Sequence, residues 1–269
     1  MATTQTNKNI PKVTSRLRHN ILCLPSEIRE ASGIVINGRR IKSLIFTTDI
    51  AVIRNCDADA VLAVYPFTPQ QTISEAIIKH CSRPVFCGIG GGTTHGIRTI
   101  TLAKDAESQG AMGVVMNAPT SNLNLQLVSG AIDIPIVVTV ISEDTDFAAR
   151  IESGASILNV AGGHKTIDIV RNIRRQFPDI PIIATGGPTT ESIHQTIQAG
   201  ANAITFTPPS LQEMFRQVME QYREEPFINN DFQEIVPEQE KLLRLLNAYI
   251  DLDNEKPNDT CSLSHSYYY

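Results

Sequence analysis

Two short signals alternate along the middle of this chain, and together they constrain the fold more than any other feature. Arg83-Pro84, Ile134-Pro135 and Ile180-Pro181 each introduce a short apolar, β-branched run. Gly110-Ala111, Gly154-Ala155 and Gly200-Ala201 each introduce another, and the two signals take turns. Proline suits the first position of a strand, where no ladder donor is lost. Glycine suits the left-handed residue that ends a helix. Each signal recurs at roughly 45–50 residues, which describes a strand-helix-strand-helix unit used repeatedly.

Read with those markers, the sequence predicts strands at residues 43–48, 60–66, 84–88, 113–118, 135–141, 156–161, 181–185 and 203–207. Helical patterns fall between and after them, at 49–55, 69–81, 95–109, 121–130, 144–153, 165–177, 189–199 and 210–224. Continuous apolar strands joined through helices imply a parallel sheet covered on its faces. A doubly wound open sheet has no reason to repeat in pairs or to reach eight strands. The expected fold is therefore an α/β (β/α)8 barrel over residues 42–225, with all its strand-end loops on one face.

The flanks read differently. Residues 1–15 are polar and expected to form a loose arm, and Ser26 is placed to cap a short helix over 26–32. Residues 34–41 carry Asn37-Gly38 between apolar positions, the signature of a hairpin with a type I′ turn, here placed to plug the barrel's N-terminal end. The first unit is thus 1–41. Beyond the barrel, 226–269 holds a linker, an amphipathic helix over 237–251 and a polar tail ending in three tyrosines, expected to be disordered. The helix's leucine face suits packing on the barrel wall or a homo-oligomer.

Composition excludes several classes. A net charge of −5 gives no reason to expect nucleic acid or an anionic membrane as partner. Five cysteines without a CxxC pair suggest neither a zinc site nor a disulfide framework, and no transition-metal ligand spacing is present. No apolar run is long enough to span a bilayer, and the N-terminus lacks a signal-peptide core, so a cytoplasmic protein is expected.

Candidate chemistry is sought at strand ends. Asp49 follows the first barrel strand and suits either a general acid/base or the N-cap of the next helix. Tyr65-Pro66-Phe67 offers an apolar wall with a hydroxyl. Gly90, Gly91 and Gly92, followed by Thr93, Thr94 and His95, form a candidate anion nest that lacks the Lys-Ser/Thr ending of a Walker loop. Cys87 reads as a core residue rather than a nucleophile. Asn117 can bind a carbonyl or hydroxyl, or cap a helix. His164 and Lys165 follow a second Gly-Gly pair, where His164 can shuttle a proton and Lys165 neutralise an anion. Missing features argue against other reactions. There is no His-x-His on the first strand for an amidohydrolase, no strand lysine at 156–161 for a Schiff base, and no G-x-S-x-G elbow.

The segment IPIIATGGPTTESIHQTIQAGANAITFT, residues 180–207, resembles the closing region of phosphate-binding (β/α)8 barrels. That group includes ribulose-phosphate epimerase, the tryptophan-pathway barrels, keto-deoxy-phosphogluconate aldolase and flavin barrels such as nitronate monooxygenase. The whole layout is similar to uncharacterised bacterial β/α-barrel proteins, some described as hydrolases. The resemblance implies a phosphate held by Gly186, Gly187, Thr207 and Ser210. Here Pro208 and Pro209 depart from the group's usual glycine and remove two backbone donors. The reading that results is an enzyme acting without a cofactor on a small phosphorylated or carboxylated metabolite, by isomerase or lyase chemistry. Three alternatives stay open: a hydrolase, an FMN-binding barrel and a non-catalytic metabolite-binding scaffold.

Overall fold

The computed structural model describes residues 21–92 and 94–224, together with Pro11 and Val13. The expectations for most of the N-terminal arm and for everything after residue 224 lie outside the described residues.

Residues 26–30 form one turn of 3-10 helix, with Pro25 rather than Ser26 at its N-cap position. The predicted cap is corrected for a simple reason. Ser26 already lies inside the turn, and its hydroxyl meets the Glu27 carboxylate at 3.4 Å. The hairpin follows as β1 (Ile34–Ile36) and β2 (Arg39–Ile41), paired antiparallel with Ile36 opposite Arg39. Asn37 and Gly38 take φ values of 48° and 77°, the left-handed pair that a type I′ turn demands.

Eight parallel strands then close on themselves. They are β3 (Ser43–Phe46), β4 (Ala60–Ala63), β5 (Val85–Gly90), β6 (Gly113–Met116), β7 (Ile136–Val140), β8 (Ile157–Val160), β9 (Ile182–Thr185) and β10 (Ala203–Phe206). Each pairs with its sequence neighbour, and β10 closes the ring on β3 with Ile204 opposite Ser43. The intervening helices are α1 (Ile50–Arg54), α2 (Gln71–His80), α3 (Ile97–Ser108), α4 (Asn122–Ser129), α5 (Phe147–Glu152), α6 (Thr166–Gln176) and α7 (Thr190–Gln198). One compact unit ends at Pro209 and contains all of these. A second begins at Ser210 and includes α8 (Leu211–Glu224). Gly110, Gly154 and Gly200 all take positive φ, as the helix-ending role predicted.

The barrel's lower core is a single apolar cluster. Leu44, Leu62, Phe86, Val115, Val137, Ile157, Ile183 and Ala203 point inward, one from each strand, and Ile34, Ile36 and Ile41 of the hairpin pack against them. The hairpin therefore seals the N-terminal end, and each buried isoleucine contributes on the order of 2 kcal/mol. No helix among the described residues is long and apolar enough to cross a membrane.

Candidate functional site in the barrel mouth

Side chains alternate across a strand, so the next inward set, a polar rung, lies two residues further along each strand. Counting from the apolar cluster gives Phe46, Val64, Gly88, Asn117, Thr139, Asn159, Thr185 and Thr205. Five of these are hydroxyl or amide residues sitting on a wholly apolar floor. They surround a cavity of ≈ 210 Å³ at the C-terminal end of the strands, with Thr207 and Ala161 also in its wall.

Two oxygens in this rung have no partner among the described residues. Asn159 is 6 % exposed; its amide nitrogen donates to Thr139 Oγ1 at 3.3 Å, which leaves Oδ1 without a donor. Thr205 is 5 % exposed and its Oγ1 is likewise unpaired. A buried polar group left unsatisfied costs about 1–3 kcal/mol. Folded chains rarely retain two such groups facing one space unless something else fills it.

A second cavity of ≈ 390 Å³ shares Val64 and Asn117 with the first. Its floor comes from β5, where the inward positions above Phe86 are glycine: Gly88, then Gly90 beyond a register shift, then Gly92 in the loop. Where other strands place a side chain, this one leaves bare backbone, so the mouth opens sideways into a groove. The opposite wall runs through Tyr65, Pro66 and Phe67, as the sequence suggested. The Tyr65 hydroxyl accepts from the Gln70 backbone N–H at 2.8 Å, which fixes the ring.

Of the three glycines of the anticipated anion nest, Gly90 and Gly92 line this second cavity, while the Gly91 N–H is already engaged. Gly91 donates its N–H to the Thr94 carbonyl at 3.0 Å, and the Gly90 carbonyl accepts from Asn117 N–H at 2.8 Å. Both glycines have positive φ, 115° and 123°; Gly90 lies against Thr94 and Gly91 against the backbone of Asn117. The close approach of Gly91 and the Gly90 carbonyl bond hold the Asn117 backbone at the junction of the two cavities.

The other predicted residues are distributed more widely. Asp49 caps α1, its Oδ1 accepting from Ala51 and Val52 N–H at 2.8 and 3.2 Å, and it lines neither cavity. His164 and Lys165 lie exposed on the 3-10 turn Gly163–Lys165 and line neither cavity either. Gly186 is buried between Ile193 and Ile204, and its N–H points at the Thr205 carbonyl at 3.5 Å. Gly187 takes φ 78° beside the capping box that Thr189 and Ser192 form at the start of α7. Thr207 reaches the mouth, whereas Ser210 belongs to the second unit, where its hydroxyl accepts from Glu213 N–H at 3.1 Å. Cys87 is fully buried, and burial pushes its thiol up to about 12, so it is neutral near pH 7 and serves as core. Among the described residues no group of three His, Cys, Asp or Glu side chains is placed to hold a metal ion.

The capping role of Asp49 has a measurable consequence. Asp49→Ala should lower stability by about 1 kcal/mol, while Asp49→Asn, an equally good cap, should stay within a few tenths. Urea titration of both variants checks this; equal losses would show that the charge, not the cap, is what α1 needs.

Sequence reasoning passed over Asn159, Thr139, Thr185 and Thr205 as site residues. The signal was present: each is a polar residue two positions beyond an apolar inward one, near the end of its strand.

No known family model matches the chain. Inosine-5'-monophosphate dehydrogenase of Halalkalibacterium halodurans is 39 % identical over 70 residues, which is 24 % of this chain and 14 % of that enzyme. The chain thus matches only a small part of the length of this curated relative. Among solved structures, phosphonopyruvate hydrolase superposes with a TM-score of 0.54 at 12 % identity, covering 79 % of this chain and 95 % of that one. A 2,3-dimethylmalate lyase of the PEP mutase/isocitrate lyase superfamily superposes with a TM-score of 0.53 at 12 % identity, covering 85 % and 92 %. At these identities the likeness is one of architecture, and it agrees with the closed eight-stranded ring: the chain is a (β/α)8 barrel.

Proposed function

We propose that this chain is an enzyme that acts on a small phosphorylated or carboxylated metabolite in the C-terminal mouth of the barrel, by isomerase or lyase chemistry and without an organic cofactor. One observation carries the reading: a polar rung with two unpartnered oxygens lies directly on a sealed apolar floor, at the face where barrels of this kind place their chemistry. The names of the similar proteins support the substrate class. Inosine-5'-monophosphate, phosphonopyruvate and dimethylmalate are all small anions.

The anionic group is placed at the rim between β9 and β10. Thr185 and Thr205 are partners in the register, so Gly187 and Thr207 each follow two residues later, just beyond the ends of adjacent strands. The backbone there opens α7, whose N-terminal dipole favours an anion. No carboxylate, imidazole or amine lines the mouth among the described residues. Proton transfer then falls to a group outside the cavity wall; Asp49 after β3 and His164 after β8, which line neither cavity, are the candidates that the strand ends supply.

The test is a thermal-shift screen with sugar phosphates, keto acids, inorganic phosphate and FMN. A phosphorylated ligand at about a hundredfold excess over its Kd should raise the melting temperature by about 5–10 °C. Thr207→Val should reduce that rise. A melt unmoved by every phosphorylated or carboxylated compound would refute the proposal, and a rise confined to FMN would move the chain to the flavin barrels.

A further inference from the structure

We infer that the substrate enters the mouth with a hydroxyl group leading, and that Asn159 and Thr205 read that hydroxyl at the bottom of the cavity. This inference rests on the proposed site and adds the substrate's class and orientation: a hydroxylated anion with its charged end outward.

The argument is one of elimination by chemistry. The cavity's walls hold amide, hydroxyl and apolar groups and no charged side chain. A phosphate or carboxylate at the floor would lose its hydration with no Lys, Arg or His to replace it, and an ammonium would lack a carboxylate. A purely apolar group would leave Asn159 Oδ1 and Thr205 Oγ1 as they are, buried and unpaired. Asn159 offers its unpaired Oδ1 as an acceptor, its amide nitrogen already giving one hydrogen to Thr139. Thr205 offers a hydroxyl that can donate or accept. A ligand hydroxyl has the matching pair of capacities, donating to the first and exchanging a bond with the second.

The same geometry makes a statement about the empty barrel. An unpaired buried oxygen serves binding at the expense of stability, so removing it should not weaken the fold. Thr205→Val keeps the shape of the side chain and deletes the orphan. Its melting temperature without ligand should equal or exceed that of the parent chain.

Binding is measured by calorimetry on the parent chain, Thr205→Val, Thr205→Ser and Asn159→Leu. The probes are glycerol 3-phosphate, erythrose 4-phosphate and ribose 5-phosphate, with phosphoglycolate as the hydroxyl-free counterpart and inorganic phosphate alone. The tightest hydroxylated ester should weaken by about tenfold to a hundredfold in Thr205→Val and in Asn159→Leu. Thr205→Ser should restore its affinity, and phosphate alone should bind all four proteins equally. Two results would overturn the inference while leaving the proposed function standing. One is unchanged affinity for the hydroxylated esters in both apolar variants; the other is an equal loss for phosphoglycolate. A lower melting temperature for unliganded Thr205→Val would overturn it as well, because the hydroxyl would then have a structural partner. Failure of every anion to bind the parent chain would remove the proposed function and this inference together.

Discussion

Phe86→Ala should cost about 3–5 kcal/mol, the full range for truncating a buried aromatic ring. Phe86 is 1 % exposed and belongs to the cluster that joins the hairpin plug to the strands. It also lies directly beneath Gly88, where β5 contributes no side chain of its own. Nothing above the ring can move down to fill the space, since the neighbouring inward position is bare backbone. The packing below it is equally specific. A Cβ at Gly113 would stand 2.9 Å from the ring edge, so β6 already yields room for the phenyl group. Domains of this kind have about 5–15 kcal/mol of stability, so the loss is a large fraction of the whole. The melting temperature should fall by roughly 6–20 °C. Guanidinium titration should show a lower midpoint with an unchanged slope, and Phe86→Leu should recover part of the loss. A loss below about 1 kcal/mol would show that the cluster is not packed as described.

The ring of strands was legible because its signals are local. Proline at the strand entrances and glycine at the helix exits are backbone requirements, and Gly110, Gly154 and Gly200 do take the left-handed conformation they implied. Asn37-Gly38 likewise specifies its turn through two positive φ angles. Ser26 misled because a serine before an apolar run fits a cap equally well whether the helix begins at it or after it. Pro25, with ψ 132°, is the last residue outside the turn, so Ser26 falls inside it.

The site was harder to read, and for a different reason. Charged residues in loops draw attention by chemical type, as Asp49, His164 and Lys165 do. Yet Asp49's carboxylate is engaged by two backbone N–H groups, and His164 and Lys165 stand on an exposed turn. The polar residues that do face one space are neutral and lie inside strands. Only the count from the apolar cluster below, Val137 to Thr139, Ile157 to Asn159, Ile183 to Thr185, Ala203 to Thr205, shows that all four point into the same cavity. That parity depends on strand register across the ring, which is a tertiary property. Asn117 was recognised from its place after β6, although its position between two cavities depends on the glycine loop packed against it.

That loop supplies the second large effect. Gly91→Ala should destabilise the chain by about 2–5 kcal/mol, whereas Gly92→Ala, one residue later, should stay within about 0.5 kcal/mol. At Gly91 the backbone has φ 123°, which a residue with a Cβ rarely adopts. The added Cβ would also stand 2.7 Å from both the backbone N and O of Asn117, and backbone cannot swing aside as a side chain can. Relief requires the loop to lift, which breaks the bonds from Gly91 N–H to Thr94 and from Asn117 N–H to Gly90. At Gly92 a Cβ would meet nothing within 4 Å and φ is not positive, so the same substitution tests the loop without the strain. Because Asn117 borders both the mouth and the groove, Gly91→Ala should also weaken the phosphorylated ligand found by thermal shift, even at temperatures where the variant remains folded. Equal melting temperatures for the two variants would mean that the glycines merely provide flexibility. In that case the junction between mouth and groove would not be built by close backbone approach.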